Sequence, residues 1–145
     1  MEYAKELEDL VTTVIREDAS DLHISVGHYP TIRVQGALLP LTQKQILTPD
    51  AVEGLIFALL NKEQREEFVR EKELDFSFDH KGRARFRANI FFQRGFMGCA
   101  MRLVPVKIRT IEELGLPPML KDFVRKEQGF FLVVGPTGQG KTTTL

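Results

Sequence analysis

The stretch RARFRANIFFQRGFMGCAMRL, residues 83–103, decides the fold class of this chain. In its first half, residues 84–92, apolar residues occupy the even positions and mostly polar residues the odd ones, with Phe91 as the exception. Alternation with a period of two is typical of a strand that has one face in a core. Arg94-Gly95 predicts a turn, and the alternating run 97–103 predicts a return strand. The stretch therefore predicts an antiparallel hairpin.

Helices and further strands are predicted on the N-terminal side of this hairpin. Apolar residues at helical spacing indicate amphipathic helices, and one of these begins at a hydroxyl N-cap, Thr48, followed by a proline. Alternating runs between turn-forming residues indicate strands. The predicted class is α/β, in the α+β arrangement of an antiparallel sheet with helices. The predicted helices cover residues 2–17, 48–60 and 62–72, and the predicted strands cover residues 19–26, 31–35 and 74–78.

A second region is predicted on the C-terminal side of the hairpin. Residues 104–115 have no sustained apolar period and are predicted to form a linker. The segment 116–126 predicts a short helix, and the continuous apolar run 130–134 predicts a strand that is buried on both faces. The predicted domains are therefore residues 1–103 and residues 116–145, joined by the linker.

The segment GPTGQGKT, residues 135–142, matches the phosphate-binding pattern G-x-x-x-x-G-K-[ST]. Its glycines let backbone N–H groups turn toward phosphate oxygens, and the N-terminus of the following helix adds a positive dipole. Lys141 brings a charge to the β- and γ-phosphates, and the Thr142 hydroxyl can bind Mg²⁺, so both are candidate catalytic residues. The alternative is a glycine-rich turn between domains. The predicted ATP-phosphate ligands are Gly135, Pro136, Thr137, Gly138, Gln139, Gly140, Lys141, Thr142 and Thr143.

Catalysis by such a loop also needs a carboxylate after a second apolar strand, which holds Mg²⁺ and orients the attacking water. No such strand follows Thr142 in the 145 residues. The run 130–134 also has no parallel neighbour to pair with. We therefore expect the chain to be a fragment, an N-terminal domain with the opening of a nucleotide-binding domain, that hydrolyses little or no ATP by itself.

Bulk composition argues against several other classes of function. The 20 basic and 20 acidic residues cancel, so no overall field draws the chain to nucleic acid or to an anionic membrane. A single cysteine excludes an intrachain disulfide and a cysteine-rich zinc site. No apolar run reaches the roughly 18 residues of a membrane span, and the N-terminus has no secretion signal. The prediction is a cytoplasmic protein without a nucleic-acid partner.

Motifs along the whole chain resemble those of the type IV pilus retraction ATPases (PilT-type), a branch of the secretion ATPase superfamily. There are three departures from the usual family residues, at His28-Tyr29, at Gln139 and at Thr142, but a threonine keeps the Mg²⁺-binding hydroxyl. The matching segments are residues 19–23, 25–27, 33–36, 74–78, 84–89, 93–95, 101–103 and 110–115, and the phosphate-binding loop with residues 143–145.

The resemblance implies a PAS-like N-terminal domain followed by the first strand and P-loop of a RecA-like ATPase domain. It also implies a homohexameric ring with nucleotide bound between the two domains. In the family this ring is a motor at the cytoplasmic face of the inner membrane, where it acts through a membrane platform protein to retract pili and drive twitching motility. Two alternatives stay open: a pilus-extension or type II secretion ATPase of the same superfamily, and a non-catalytic PAS-like interaction module.

The resemblance further implies a role for arginines of the hairpin region. In the family, arginines from this part of the N-terminal domain reach the triphosphate and help to sense its γ-phosphate. A planar guanidinium matches phosphate oxygens in geometry as well as in charge. The alternative is that these arginines form only the solvated face of a strand. The candidates are Arg85, Arg87, Arg94 and Arg102.

Other conspicuous residues are expected to have structural roles. Asp21 is expected to satisfy backbone donors, and His23 to form a hydrogen bond across its hairpin or at a subunit contact, because two such residues make a weak metal site. Cys99 is expected in the core. Four phenylalanines are expected in the core or an interface rather than in a nucleic-acid platform. These are Phe86, Phe91, Phe92 and Phe96.

Overall fold

The computed structural model describes residues 2–104, 110–136 and 140–144, and of Thr142 only the backbone. The chain divides into two compact units after residue 106. In chain order the elements are α1 (Glu2–Arg16), β1 (Asp21–Ser25), β2 (Thr31–Val34), β3 (Ala37–Pro40), α2 (Pro49–Leu59), α3 (Lys62–Glu71), β4 (Glu73–His80), β5 (Ala84–Gln93), β6 (Phe96–Val104), α4 (Leu120–Val124) and α5 (Lys141–Thr144).

One antiparallel sheet of six strands dominates the first unit, in the spatial order β3-β2-β1-β6-β5-β4. Strands β1 to β3 form one meander and β4 to β6 form another, and within each meander sequence neighbours pair. The two meanders join where β1 pairs with β6, along residues 21–25 and 98–102. This pairing is the seam of the sheet. The predicted fold class, α+β with an antiparallel sheet and helices, is confirmed.

The core lies between one face of this sheet and the helices. Helices α1 and α2 pack against each other, and both also contact the strands of the seam. The helical spacing of apolar residues accounts for this packing, because it gathers them on one side of each helix. Leu10, Val14, Val52, Leu55 and Ile56 are fully buried in consequence.

Side-chain caps fix where two of the helices begin. At the start of α2 the Thr48 hydroxyl accepts a hydrogen bond from the backbone N–H of Ala51 at 3.2 Å, as the sequence predicted. At the start of α3, Asn61 and Gln64 each accept a hydrogen bond from the other's backbone N–H, at 2.8 and 3.1 Å. Such reciprocal caps satisfy donors that have no partner within the helix.

Strand β3 was missed by the sequence analysis. All four of its residues are exposed, so burial imposes no alternation on them, and the strand ends at a proline. The turn before β3 determines its pairing with β2, because Gln35 and Gly36 have φ of 49° and 86°. Two consecutive positive φ values make a type I′ turn, which matches the twist of a two-residue hairpin. Arg94 and Gly95 repeat this turn between β5 and β6, with φ of 53° and 84°.

The second unit contains two short helices and, among its described residues, no strand. The strand predicted at 130–134 is therefore wrong: the segment has no regular structure, and Phe130 is 97% exposed. A parallel strand needs neighbouring strands for its backbone hydrogen bonds, and the described part of this unit supplies none. The helix predicted at 116–126 is limited to α4, because Pro117 and Pro118 precede it in a turn.

The predicted linker is described only in part. Its residues 105–109 lie outside the described residues. Residues 110–115 form a hydrogen-bonded turn, in which the Thr110 hydroxyl accepts from the N–H of Glu113 at 3.2 Å and the Glu113 carboxylate accepts from the N–H of Thr110 at 2.9 Å. This reciprocal pair is the same capping arrangement that begins α3.

Candidate functional site

The polar face of the sheet, opposite the core, carries a row of charged residues across four strands. Cross-strand partners lie on the same face, and the register pairs Arg33 with Asp21, Asp21 with Arg102, and Arg102 with Arg87. We call Arg33, Asp21, Arg102 and Arg87 the arginine row. The sequence predicted two of these arginines as candidates, and the fold brings them side by side on β5 and β6.

Asp21 is the buried centre of the arginine row, with a side chain that is only 9% exposed. Its Oδ1 accepts a hydrogen bond from Nε of Arg102 at 2.9 Å, and its Oδ2 accepts one from the Ser20 hydroxyl at 2.7 Å. Nε of Arg33 lies 3.4 Å from the same Oδ2. Among the described residues Asp21 does not satisfy backbone donors as expected; three side chains surround its carboxylate instead.

The protonation of Asp21 follows from these contacts. Burial acts to raise the pKa of the carboxyl group, but the hydrogen bonds from Ser20 and Arg102 and the charge of Arg102 outweigh it. The pKa of Asp21 therefore lies below its ordinary value, and the side chain is an anion at neutral pH. A buried anion flanked by two cations is consistent with a fixed part of the sheet.

Arg87 and Arg102 stand directly opposite each other on neighbouring strands. Like charges in this arrangement are destabilising. Arg102 is partly compensated by Asp21, whereas within the described part of the chain Arg87 has only the carboxylate of Asp75 at 3.7 Å, and both arginine side chains are largely exposed. A local arrangement that opposes stability is expected where function requires it. Two guanidinium groups side by side can share one phosphate group.

The other two candidate arginines occupy different positions. Arg85 lies on β5, two residues before Arg87, and faces Asp79 of β4 and Val104 of β6. Arg94 lies in the type I′ turn at the far end of that strand. Both side chains are exposed, and among the described residues neither side chain has a hydrogen-bond or ion-pair partner. The fold therefore groups Arg85 with the arginine row and separates Arg94 from it along the strand.

Arg33 was not among the arginines that the sequence singled out. It lies on β2, in the segment 33–36 that contributed to the resemblance, and its Nη1 donates to the carbonyl of Gly36 at 3.0 Å. The polar position in an alternating strand was visible in the sequence. Its proximity to Asp21 was not, because β1 and β2 had no predicted register.

Phe91, the apolar exception in the alternation of β5, lies on the polar face. Its ring covers Gly98, its cross-strand partner on β6, so that a Cβ added to Gly98 would lie 2.9 Å from Cε2 of Phe91. A glycine in a strand often marks such a close approach. The ring therefore packs on the sheet itself and explains why Gly98 is buried.

The remaining phenylalanines and the cysteine have clear locations. Phe86 is fully buried and Phe92 packs at the edge of the core against Phe68, whereas Phe96 is half exposed in the turn region. Cys99 is buried as expected, and burial raises the pKa of its thiol to about 12. A thiol with that pKa is not a nucleophile at neutral pH.

His23 lies in a shallow cavity of about 270 Å³ on the polar face of β1 and β2. The predicted hydrogen bond across the hairpin is absent among the described residues, where its buried Nε2 has no partner. Tyr29, Thr31, Arg33 and Leu38 also line this cavity. Within the described residues no group of three or more histidine, cysteine or acidic side chains is placed to hold a metal ion.

The phosphate-binding segment is described at its two ends. Gly140 has φ of 74°, and the N–H and hydroxyl of Thr144 both donate to its carbonyl at 3.0 Å, which forms the first turn of α5. Lys141 begins α5, and its ammonium group donates to the carbonyl of Pro136 at 2.6 Å. Thr137, Gly138 and Gln139 lie outside the described residues, as does the hydroxyl proposed for Mg²⁺.

Comparison with known proteins identifies the class to which this fold and this loop belong. The family described as "Type II/IV secretion system protein" matches residues 2–145, and the chain belongs to that family. No helix in the described part of the chain is long and apolar enough to cross a membrane.

Particular relatives narrow the class. The chain is 41% identical to the "Type IV pilus retractation ATPase PilT" of Pseudomonas aeruginosa over 97% of its own length and 40% of that protein. It is 35% identical to the "Type IV pilus ATPase PilU" of the same organism over 97% of its length and 36% of PilU. The resemblance inferred from the motifs is thereby confirmed. The chain spans about two-fifths of the length of these relatives.

Solved structures show the same similarity. A crystal structure of the pilus retraction motor PilT with bound ADP matches with a TM-score of 0.72 and 35% identity, over 94% of this chain and 40% of PilT. The ATPase DotB of Yersinia pseudotuberculosis matches with a TM-score of 0.76 over 94% of this chain and 39% of DotB. At 24% identity, this match shows a shared fold and nothing more.

Proposed function

We propose that the protein containing this chain is an ATP-driven motor subunit that powers the retraction of type IV pili and thereby twitching motility. The observation that carries the proposal is the complete phosphate-binding sequence at residues 135–142, in a chain 41% identical to a pilus retraction ATPase. The relative with a solved structure binds ADP. Nucleotide binding is therefore the property that sequence and relatives support together.

The loop would bind the triphosphate of ATP through its backbone N–H groups. Lys141 would leave the carbonyl of Pro136 and place its ammonium group on the β- and γ-phosphates. The Thr142 hydroxyl would bind Mg²⁺, which bridges phosphate oxygens and neutralises developing charge. Phosphoryl transfer depends mostly on such positioning and charge stabilisation, so these residues account for binding and for part of the catalysis.

Arginines of the polar face would supply the remaining positive charge. Arg87 and Arg102 are the strongest candidates, since they stand side by side and are exposed, and Arg85 is next to them. We propose that they contact the terminal phosphate of the nucleotide and so distinguish ATP from ADP. Arginine contacts of this kind contribute about 10³- to 10⁵-fold to the rate in other nucleotide hydrolases.

Six copies would form the working ring, with nucleotide bound between domains. The ring would act on the pilus through an inner-membrane platform protein at the cytoplasmic face of the membrane. These assignments rest on the relatives in pilus retraction, which are about two and a half times as long as this chain. No nucleic-acid partner is proposed.

The test is the release of phosphate from ATP, measured on the 145-residue chain and on a version that continues through the length of the relatives. We expect turnover only in the longer protein, because residues 143–145, which follow the loop, contain no carboxylate to hold Mg²⁺. In the longer protein, Lys141→Ala should abolish turnover. Lys126→Ala, a change to another exposed lysine of the same unit, is the matched control and should leave turnover intact. An active Lys141→Ala protein would refute the site.

The arginines are tested in the same longer protein. Arg87→Ala and Arg102→Ala should each lower kcat by about a thousandfold or more if they contact the transferred phosphate. Arg70→Ala is the control, because Arg70 lies on α3 and pairs with its neighbour Glu71. Equal activities of all three variants would remove the arginines from the proposed site.

An alternative function within the same family is a secretion ATPase. The chain is 31% identical to the "Protein transport protein HofB homolog" of Escherichia coli over 92% of its length and 31% of that protein. Against this, the identity to PilT is higher and spans more of the chain. Restoration of twitching in a strain that lacks its retraction ATPase would support the motor, and restoration of secretion alone would support the alternative.

A further inference from the structure

We propose that Asp21 is a positioning residue, which holds the guanidinium group of Arg102 by its Nε–H so that both terminal nitrogens can face a phosphate. This inference rests on the proposed function, in which Arg102 contacts the terminal phosphate of the nucleotide. Asp21 itself would not touch the ligand.

The hydrogen-bond pattern shows which edge of Arg102 is used. Oδ1 of Asp21 accepts only from Nε, at 2.9 Å. Among the described residues, no acceptor binds the terminal nitrogens of Arg102. A guanidinium group carries five N–H donors, so four of them remain for a ligand, in the fork that matches two phosphate oxygens.

Arg102 needs such an anchor because its side chain is 73% exposed. A long exposed side chain populates many rotamers, and binding must select one of them. Asp21 offers a fixed reference point, since its carboxylate is buried, lies on a central strand and is also held by the Ser20 hydroxyl. One hydrogen bond from Nε of Arg102 to this fixed acceptor therefore limits the orientation of the whole guanidinium group.

Arg33 serves as an internal comparison. It flanks the same carboxylate, but its Nη1 donates to the carbonyl of Gly36 while its Nε faces Asp21. Both edges of its guanidinium group are thus turned toward the protein. The two arginines beside Asp21 therefore differ: Arg33 uses a terminal nitrogen in a contact within the protein, whereas among the described residues Arg102 does not.

The direction in which anion affinity changes when Asp21 is replaced distinguishes a positioning role from a purely electrostatic one. Removing a carboxylate next to an arginine should strengthen the binding of an anion if only charge matters. If Asp21 positions Arg102, its removal should weaken binding instead. Asp75→Asn is the matched control, because Asp75 lies beside Arg87 on the same face at 3.7 Å, beyond hydrogen-bond distance.

The experiment titrates the 145-residue chain with tripolyphosphate and follows backbone amide NMR shifts of β5 and β6. These shifts report on the polar face that carries Arg102 and Arg87. We expect Asp21→Asn to raise the dissociation constant about two- to tenfold, the range for a side chain that must be immobilised on binding. Asp75→Asn should leave the constant unchanged or lower it.

A second variant covers the case in which Asp21→Asn does not fold. Arg102→Lys keeps the ion pair with Asp21 and the charge, but it has no second edge to present. We expect it to bind tripolyphosphate as weakly as Arg102→Ala does. Equal affinity of Arg102→Lys and the unaltered chain, or tighter binding by Asp21→Asn, would overturn the positioning role.

The same titration separates this inference from the proposed function. If Arg102→Ala weakens binding and Asp21→Asn does not, the positioning role fails while the phosphate contact of Arg102 stands. If Arg102→Ala leaves binding unchanged, the phosphate contact fails, and the positioning role fails with it.

Discussion

The contact between Phe91 and Gly98 allows a quantitative test of the polar face. A Cβ added at Gly98 would lie 2.9 Å from Cε2 and 3.1 Å from Cζ of Phe91, so Gly98→Ala must displace the ring. Overpacking costs about 1–3 kcal/mol in general, and the lower end applies because the ring is partly exposed and can move. Alanine also gains roughly 0.5–1 kcal/mol over glycine within a strand. The two effects nearly cancel.

Whether Gly98→Ala stabilises or destabilises the chain depends on whether Phe91 is present. In the unaltered chain we expect Gly98→Ala to leave the free energy of unfolding unchanged or to lower it by up to about 0.5 kcal/mol, the difference between these two effects. In a Phe91→Ala background the clash is gone, so the same substitution should stabilise the chain by about 0.5–1 kcal/mol. The coupling energy of the double-mutant cycle is then about 1 kcal/mol.

Urea unfolding followed by circular dichroism measures these free energies, because the chain has no tryptophan for fluorescence. Phe96→Ala is the control background: Phe96 is on the same hairpin, but the three atoms nearest the added Cβ all belong to Phe91. There Gly98→Ala should behave as in the unaltered chain. The same effect of Gly98→Ala in all three backgrounds would refute the account of this contact.

Two further predictions concern buried groups of the first unit. Because the pKa of Asp21 is lowered in the folded state, its ionised form contributes stability above the unfolded pKa of about 3.9, and this is lost as the pH falls through the folded value. The difference in unfolding free energy between the unaltered chain and Asp21→Asn should therefore be largest near pH 7 and shrink below about pH 4 in urea titrations. The thiol of Cys99, with a pKa raised to about 12, should not react with a disulfide reagent at pH 8 until urea unfolds the chain, and rapid reaction of the native protein would contradict its burial.

The first unit could be predicted from the sequence because local patterns and burial agree there. Alternation in β5 and the Thr48 cap of α2 each reported a local requirement, and the structure meets both. Strand β3 was missed because its four residues are exposed, so its only signal is the Gln35-Gly36 turn. A pattern that depends on burial cannot identify a strand that is not buried.

The second unit shows the opposite error. Residues 130–134 have the composition of a central strand, yet a strand exists only where a neighbour accepts its hydrogen bonds. Composition describes a segment by itself, whereas pairing depends on other segments. The same limit applies to Asp21 and Arg102, which are 81 positions apart in sequence and directly paired across the seam. Only the register of β1 against β6 places them together.

The seam has a consequence for how the protein acquires its site. Each meander can form from nearby residues, while closing β1 onto β6 must bring together segments about 80 residues apart, at a greater cost in chain entropy. Contacts of high sequence separation tend to slow folding. We therefore expect the seam to close late, and Arg102 gains its carboxylate only then. In a partly folded chain all of the arginines would be exposed, but Arg102 would not yet be oriented by Asp21. Phosphate recognition would therefore develop only when the sheet is complete.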